Sequence, residues 1–121
     1  MFEDNRVHAE DHYYAALDHF AEGRYNEAVE EYRQALAIDS TFSDAMHGLA
    51  RALQDLERYD DAIDVARNLI ELNPDDVLAH ASLSILFQRK GMIADAEAEA
   101  NKARILGWKK QLQEQKAQQK R

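Results

Sequence analysis

The chain contains no cysteine, a single proline and only four glycines among its 121 residues. Without cysteine there is no disulfide framework, no thiol nucleophile and no cysteine-based zinc or iron–sulfur site. Because proline and glycine are the residues that interrupt helices and form tight turns, their scarcity favours long helices over a turn-rich β fold. At this length the chain is expected to form one domain with a modest core.

Long apolar runs and a secretory signal pattern are also missing. No window reaches about 18 apolar residues, the length that a membrane-spanning helix needs. The opening MFEDNRVHAEDH carries acidic residues where a signal peptide has a basic start and an apolar stretch. The sequence therefore predicts no membrane span and a cytoplasmic location.

Charge is divided unevenly along the chain. Residues 109–121 hold five basic residues against Glu114 alone, which gives them a net charge of +4. Because the whole chain has a net charge of −8, residues 1–108 have a net charge of −12. Nucleic acids and anionic membranes are bound largely through lysine and arginine, so the acidic body is expected to bind neither. The charge favours a partner protein of basic character.

Similar strings recur at a fixed interval of 34 residues, as RYNEA at 24–28, RYDDA at 58–62 and MIADA at 92–96. A period of this length indicates a repeat architecture in which each unit is one supersecondary element. The register places alanine in one column of all three units, at Ala28, Ala62 and Ala96. The units are 9–42, 43–76 and 77–110, after an N-terminal extension of residues 1–8.

Each unit is predicted to hold two helices, because apolar residues recur at helical spacing on both sides of a break. The breaks fall at Gly23, Glu57 and Gly91. The first helices are predicted near 9–21, 43–56 and 77–90, and the second helices near 26–38, 60–72 and 94–106.

Helix ends between and after the units are signalled by single residues. Pro74 lacks the backbone donor that a continuing helix needs, and Asp75 and Asp76 can then cap the next helix. Gly107 suits a left-handed helix end, so the second helix of the third unit is predicted to stop there.

A 34-residue helix–turn–helix unit with small residues, an aromatic residue and a late proline in fixed columns resembles the tetratricopeptide-repeat (TPR) family over residues 9–110. The usual early tryptophan is replaced by His12, Met46 and His80, and the late proline survives only as Pro74. The resemblance implies an all-α fold, a right-handed α-solenoid of three units whose first helices line a concave groove. Members of the family are mostly adaptors, co-chaperones and assembly factors, which implies a non-enzymatic scaffold or adaptor.

Residues 108–121 resemble the basic capping helix that commonly follows such arrays. Trp108 and Leu112 lie one helical turn apart and are expected to cover the exposed end of the stack, with fraying beyond Leu112. The alternative is a basic arm for an acidic partner.

The resemblance to the family implies that one set of residues faces the groove. This set is unusually apolar for positions that face solvent. These residues are Tyr13, Tyr14, Leu17, His47, Gly48, Arg51, Leu78, Ala81, Ser82 and Ile85. A glycine inside a helix costs about 1 kcal/mol relative to alanine, so Gly48 is interpreted as allowing close approach of a ligand backbone, with tight helix packing as the alternative. The hypothesis is a groove that binds an extended or helical peptide through apolar anchors.

The carboxylate clamp of heat-shock co-chaperones is the best-known alternative use of such a groove. It grips an acidic C-terminal peptide with cations from the first helices, because a carboxylate needs charge-assisted donors to offset its desolvation. The matching positions hold Tyr13, Leu17, Gly48, Leu78 and Ser82, none of which supplies a cation. We therefore expect no clamp.

Metal binding, a cofactor and catalysis are not expected. His8 and His12 stand one helical turn apart, but two ligands rarely hold a metal and no third histidine has a matching spacing. No serine lies beside an obvious base, and there is no glycine-rich phosphate loop.

A structural role is the second class of function. The ends of a solenoid are where further units join, so a self-associating, homo-oligomeric subunit of a larger complex is the alternative to peptide capture.

Overall fold

The computed structural model describes residues 5–120, and within them it contains six helices and no strand. The helices are α1 (Asn5–Ala21), α2 (Tyr25–Ile38), α3 (Ser43–Asp55), α4 (Tyr59–Leu72), α5 (Val77–Arg89) and α6 (Ile93–Gln119). The predicted all-α class and the three helix pairs are confirmed. Helix α1 begins at Asn5, so the predicted N-terminal extension contributes one turn to it, and residues 1–4 lie outside the described residues.

The turn inside each unit is built on one residue in the left-handed region, with φ of 78° at Gly23, 61° at Glu57 and 77° at Gly91. Glycine adopts this conformation without steric cost, whereas a side chain at Glu57 disfavours it. The residue after each turn donates its N–H to the carbonyl five residues earlier, at 2.8–2.9 Å. The same helix-ending motif therefore closes all three units.

Helices pack in chain order, each against the one before and the one after it. Helix α3 also contacts α1 and α5, whereas within residues 5–120 the even-numbered helices do not contact one another. The odd-numbered helices are thus the more closely spaced row, which is the inner side of a curved stack. The fully buried alanines of the core, Ala28 and Ala62 among them, let helices approach closely.

Helix α6 differs from the prediction because it continues through Gly107 to Gln119. Good helix formers follow Gly107 and no proline does, so the cost of one glycine, about 1 kcal/mol, does not end the helix. Residues 108–119 are therefore a continuation of the third unit and not a separate capping helix. Trp108 is 63% exposed and Leu112 is 40% exposed, so neither side chain covers the end of the stack as expected.

Replacing Gly107 with alanine is expected to raise the free energy of unfolding by about 1 kcal/mol, the difference in helix propensity. A Cβ at this position would lie 3.9 Å from Val77 Cγ1, an ordinary contact distance. Urea denaturation measures the change, with Gly23→Ala as the control that should destabilise because its φ is positive. A loss of stability in Gly107→Ala would mean that α6 breaks at Gly107 in solution.

Candidate functional site

Helix α1 contributes aromatic and aliphatic side chains to the inner side of the stack. Tyr14 is 59% exposed and Leu17 is 39% exposed. Tyr13 is half-buried, and its ring centroid lies 5.1 Å from that of Phe42 and 6.1 Å from that of Tyr32. Of the three groove residues predicted on α1, two are therefore open to solvent and the third is fixed by the core.

Helix α5 contributes an aliphatic face at the other end of the row. Leu78 is 58% exposed and Ile85 is 42% exposed, while Ala81 and Ser82 between them are half-buried. These positions share one side of the helix, because residues three, four and seven apart lie on the same face. The four residues predicted on α5 thus form one shallow surface with two protruding anchors.

Helix α3 lies between these two apolar regions and carries polar groups. Arg51 is exposed and its Nε lies 3.4 Å from Asp55 Oδ2. His47 is engaged by the N-cap residue of α5, since its Nε2 lies 2.9 Å from Asp76 Oδ2. The other oxygen of Asp76 accepts a hydrogen bond from the Ala79 N–H at 3.0 Å, which confirms Asp76 as the N-cap of α5. His47 therefore links α3 to the residue that caps α5 and is not a free groove residue.

Gly48 lies directly against the ring of Tyr32 from α2. A Cβ at Gly48 would be 2.4 Å from Tyr32 Cζ and 2.6 Å from its hydroxyl oxygen. Tyr32 is only 1% exposed, and burial, together with the neighbouring Tyr13, raises the pKa of its hydroxyl to about 12. The chain itself occupies the space beside Gly48, so tight packing explains the glycine and a ligand backbone is not needed for it.

A cleft of about 560 Å³ opens at the α1 end of the groove. Three aromatic rings and three carboxylates line it, those of Tyr13, Tyr14, Phe42, Glu10, Asp39 and Asp44. Burial, with Asp44 as a second cause, raises the pKa of the Tyr13 hydroxyl. An acidic cleft walled by aromatic rings is suited to a cationic side chain beside an apolar one.

Two histidine–glutamate pairs occupy equivalent places in the first and third units. His12 Nδ1 lies 2.7 Å from Glu31 Oε2, and His80 Nδ1 lies 2.7 Å from Glu99 Oε2. In each pair the histidine is on the first helix of a unit and the glutamate is 19 residues later on the second helix. Sequence reasoning aligned the two histidines but missed the glutamates. The repeated 19-residue spacing was the signal that identifies them.

The third-unit pair is the buried one. The side chains of His80 and Glu99 are 6% and 14% exposed, against 37% and 30% for the first-unit pair. His80 Nε2 also lies 2.8 Å from the carbonyl oxygen of Pro74. Both ring nitrogens of His80 therefore face an oxygen atom, one on each side of the ring.

Among residues 5–120, no three histidine, aspartate or glutamate side chains come together as a group able to hold a metal ion. None of the helices in that part of the chain is both long enough and apolar enough to cross a membrane.

Comparison with known protein structures shows the same fold in several proteins. A MamA crystal structure superposes with a TM-score of 0.82 at 23% identity, covering 88% of this chain and 62% of that one. The second TPR of Spaghetti (RPAP3), bound to the HSP90 peptide SRMEEVD, gives 0.79 at 22% identity and covers 84% of this chain and 94% of that one. The Yersinia enterocolitica type III secretion translocator chaperone SycD gives 0.78 at 22% identity, with 81% and 73% covered.

These identities are low, so the likeness establishes the fold alone. The chain spans about three fifths of the MamA chain, 62% of its length. No curated protein sequence matches the chain. A tetratricopeptide-repeat family model matches residues 19–86, more than half of the chain. Repeats of this kind are generally non-enzymatic protein-interaction modules. The 34-residue period, the helix pairs and the family match agree, and the chain belongs to the tetratricopeptide-repeat family.

Proposed function

We propose that this protein is a non-enzymatic scaffold or adaptor that holds a segment of a partner protein in the groove lined by α1, α3 and α5. The observation that carries the proposal is the set of apolar side chains on these helices that are 39–59% exposed, namely Tyr14, Leu17, Leu78 and Ile85. Burying one such side chain contributes about 1.5–3 kcal/mol before the costs of ordering the peptide. A peptide with apolar anchors is the ligand that uses this surface.

The charge around the groove supports a partner segment that also carries a basic residue. The cleft beside Tyr13 and Tyr14 is lined by three carboxylates. Residues 1–108 carry a net charge of −12, since residues 109–121 contribute +4 to the overall −8. A lysine or arginine next to an apolar anchor therefore meets an opposite charge, which raises the rate of association and favours it over an acidic competitor.

Acidic C-terminal peptides are outside the proposal. SRMEEVD, which the RPAP3 domain holds, ends in carboxylates that need cationic partners. In this chain the arginine at the centre of the groove, Arg51, already lies beside Asp55. Titration with SRMEEVD is the check, and micromolar binding would contradict the proposed ligand chemistry.

The groove is tested with a double variant, Leu78→Asp with Ile85→Asp, which places charge on both exposed aliphatic anchors of α5. The matched control is Leu72→Asp, which charges a side chain of similar exposure, 47%, on α4 outside the row of odd helices. Affinity capture from a native lysate followed by mass spectrometry is expected to enrich one protein with the wild type and the control, and to lose it with the double variant.

The captured protein is then divided into overlapping peptides, and fluorescence polarisation measures each against the wild type. A segment with apolar and basic residues is expected to bind, with an affinity reduced at least tenfold in the groove variant. Circular dichroism confirms that both variants are folded. If the folded double variant still captures the same partner with unchanged affinity, the groove is not the binding site.

A further inference from the structure

The part of α6 that continues past the third unit carries an exposed apolar stripe. Ile105, Trp108 and Leu112 are 48%, 63% and 40% exposed. Their spacing of three and four residues places them on one face of the helix. No described element covers this stripe. An exposed tryptophan beside aliphatic side chains is typical of a binding hot spot in a protein–protein interface.

Cationic side chains flank the stripe. With Ile105 and Leu112 at a positions of a heptad and Trp108 at d, three lysines fall at successive e positions, Lys102, Lys109 and Lys116. All three are exposed, and Lys102 Nζ lies 3.2 Å from Glu99 of its own helix. Charge complementarity therefore requires an occupant with acidic flanks.

Two α6 helices do not satisfy this requirement. An antiparallel pair sets the e positions against each other, which brings lysine to lysine. A parallel pair sets g against e, which brings Arg104 towards Lys109 of the other copy. Like charges disfavour both arrangements, so the occupant is a different helix.

Helix α1 has the required chemistry. Val7 and Tyr14 are 50% and 59% exposed, and Asp11 and Asp18 are exposed on the same face. The positions equivalent to Asp11 and Asp18 in the second and third units are Ala45, Ala52, Ala79 and Leu86, each 0% exposed. In those units the face packs in the repeat core, as Ala79 does against Leu69 of the preceding helix. The corresponding face of α1 therefore carries exposed acidic residues where the later units have buried apolar ones.

We propose that α6 of one copy docks antiparallel on α1 of a second copy. Val7 to Tyr14 and Ile105 to Leu112 both span seven residues, so Val7 meets Leu112 while Tyr14 meets Ile105. The same register sets Asp11 opposite Trp108 and one residue from Lys109, and Asp18 opposite Asn101 and one residue from Lys102. The contact joins different faces of the two copies, so each added copy leaves one α1 and one α6 free and the assembly grows head to tail.

This inference goes beyond the proposed function and does not depend on it. The two surfaces share Tyr14, but the groove anchors Leu78 and Ile85 take no part in the α6–α1 contact. The variant Leu78→Asp with Ile85→Asp is therefore expected to assemble like the wild type even though it loses its peptide.

The test is sedimentation velocity of the full chain over a concentration series at low salt. The average mass is expected to rise from that of the 13.9 kDa monomer past that of a dimer, and to fall back when salt screens the charges. Two variants are each expected to stay monomeric, Trp108→Asp in α6 and the charge reversal Asp11→Lys with Asp18→Lys in α1. Circular dichroism shows that both retain their helices.

Mixing the two variants gives the decisive result. The α6 variant keeps an intact α1 and the α1 variant keeps an intact α6, so an equal mixture is expected to form a one-to-one dimer and nothing larger. Reversing Lys102 and Lys109 to aspartate in the α1 variant is expected to restore growth. A wild type that stays monomeric at every concentration overturns the inference. A dimer that is abolished by Trp108→Asp but not by the α1 variant also overturns it. Binding of the stripe only to anionic vesicles or to an acidic helical peptide is a third result against it.

Discussion

Replacing Glu99 with alanine is expected to lower the free energy of unfolding by about 3 kcal/mol, because it removes the carboxylate that a buried imidazole nitrogen faces. His80 is 5% exposed, with Nδ1 2.7 Å from Glu99 Oε2 and Nε2 2.8 Å from the Pro74 carbonyl oxygen. Without Glu99 the Nδ1 of this buried imidazole has no hydrogen-bond partner and little access to water. Urea denaturation followed by circular dichroism measures the loss.

The first unit provides the matched control. His12 and Glu31 are also 2.7 Å apart, but their side chains are 37% and 30% exposed. Water solvates each partner after the other is removed, so Glu31→Ala is expected to cost at most about 1 kcal/mol. Equal losses of unfolding free energy in Glu31→Ala and Glu99→Ala would show that burial does not determine how much the third-unit pair contributes to stability.

The second unit supplies an apolar version of the same pair. Met46 and Val65 stand at the positions of the histidine and the glutamate. The double variant His80→Met with Glu99→Val copies that pair, and it is expected to retain most of the wild-type stability, since well-packed apolar residues often replace a buried ion pair without loss. A double variant as unstable as Glu99→Ala would contradict this account and give the pair a role in positioning Pro74.

The contribution of Glu99 to the free energy of unfolding is also expected to depend on pH. Burial alone would raise the pKa of the Glu99 carboxyl, but hydrogen bonds from His80 and Lys102 and their positive charges lower it below the ordinary 4.5. A folded-state pKa below the unfolded value adds stability that is complete above the unfolded value and is lost as pH falls through the folded one. The gap between wild type and Glu99→Gln is therefore expected to close as the solution is acidified below pH 4.5.

The sequence was sufficient for the fold because the signals for it are local and repeated. A 34-residue period and breaks at Gly23, Glu57 and Gly91 define six helices. The continuation of α6 could not be predicted in the same way, because the preference of Gly107 for a helix end is worth only about 1 kcal/mol and the residues after it favour the helix.

The polar contacts between helices were less accessible to sequence reasoning. His12 and His80 stand out because the family has tryptophan in that column, but their acceptors lie on another helix, 19 residues away. The sequence predicts His47 in the groove because its position on α3 faces inward, and only the three-dimensional arrangement shows that it contacts Asp76, the N-cap residue of α5. Periodicity assigns a residue to a face of a helix, whereas the identity of its partner depends on how that helix packs against its neighbours.

Gly48→Ala is expected to destabilise the protein by about 2 kcal/mol, although alanine is the better helix former by about 1 kcal/mol. The new Cβ would fall 2.4 Å from Cζ and 2.5 Å from Cε1 of Tyr32. That ring is 1% exposed and packs in the core with Ala35, Ala45 and Leu49, so it cannot move away without opening a gap. Thermal and urea denaturation measure the loss.

The next pair of repeats shows which second change should remove the effect. The positions equivalent to Tyr32 and Gly48 there are Ala66 and Ser82, a small residue facing one with a side chain. In a Tyr32→Ala background, itself less stable by about 3 kcal/mol or more, Gly48→Ala is expected to be neutral or to stabilise by up to about 1 kcal/mol. Such a change of sign in a double-mutant cycle assigns the cost to the ring of Tyr32.

The opposite outcome would return Gly48 to the groove hypothesis. If Gly48→Ala is at least as stable as the wild type, the ring of Tyr32 yields space at little cost, and packing no longer explains the glycine. The captured peptide then decides. A folded Gly48→Ala protein that binds it at least tenfold more weakly would mean that the peptide backbone approaches α3 at this position. Unchanged affinity would leave Tyr14, Leu17, Leu78 and Ile85 as the anchors of the groove.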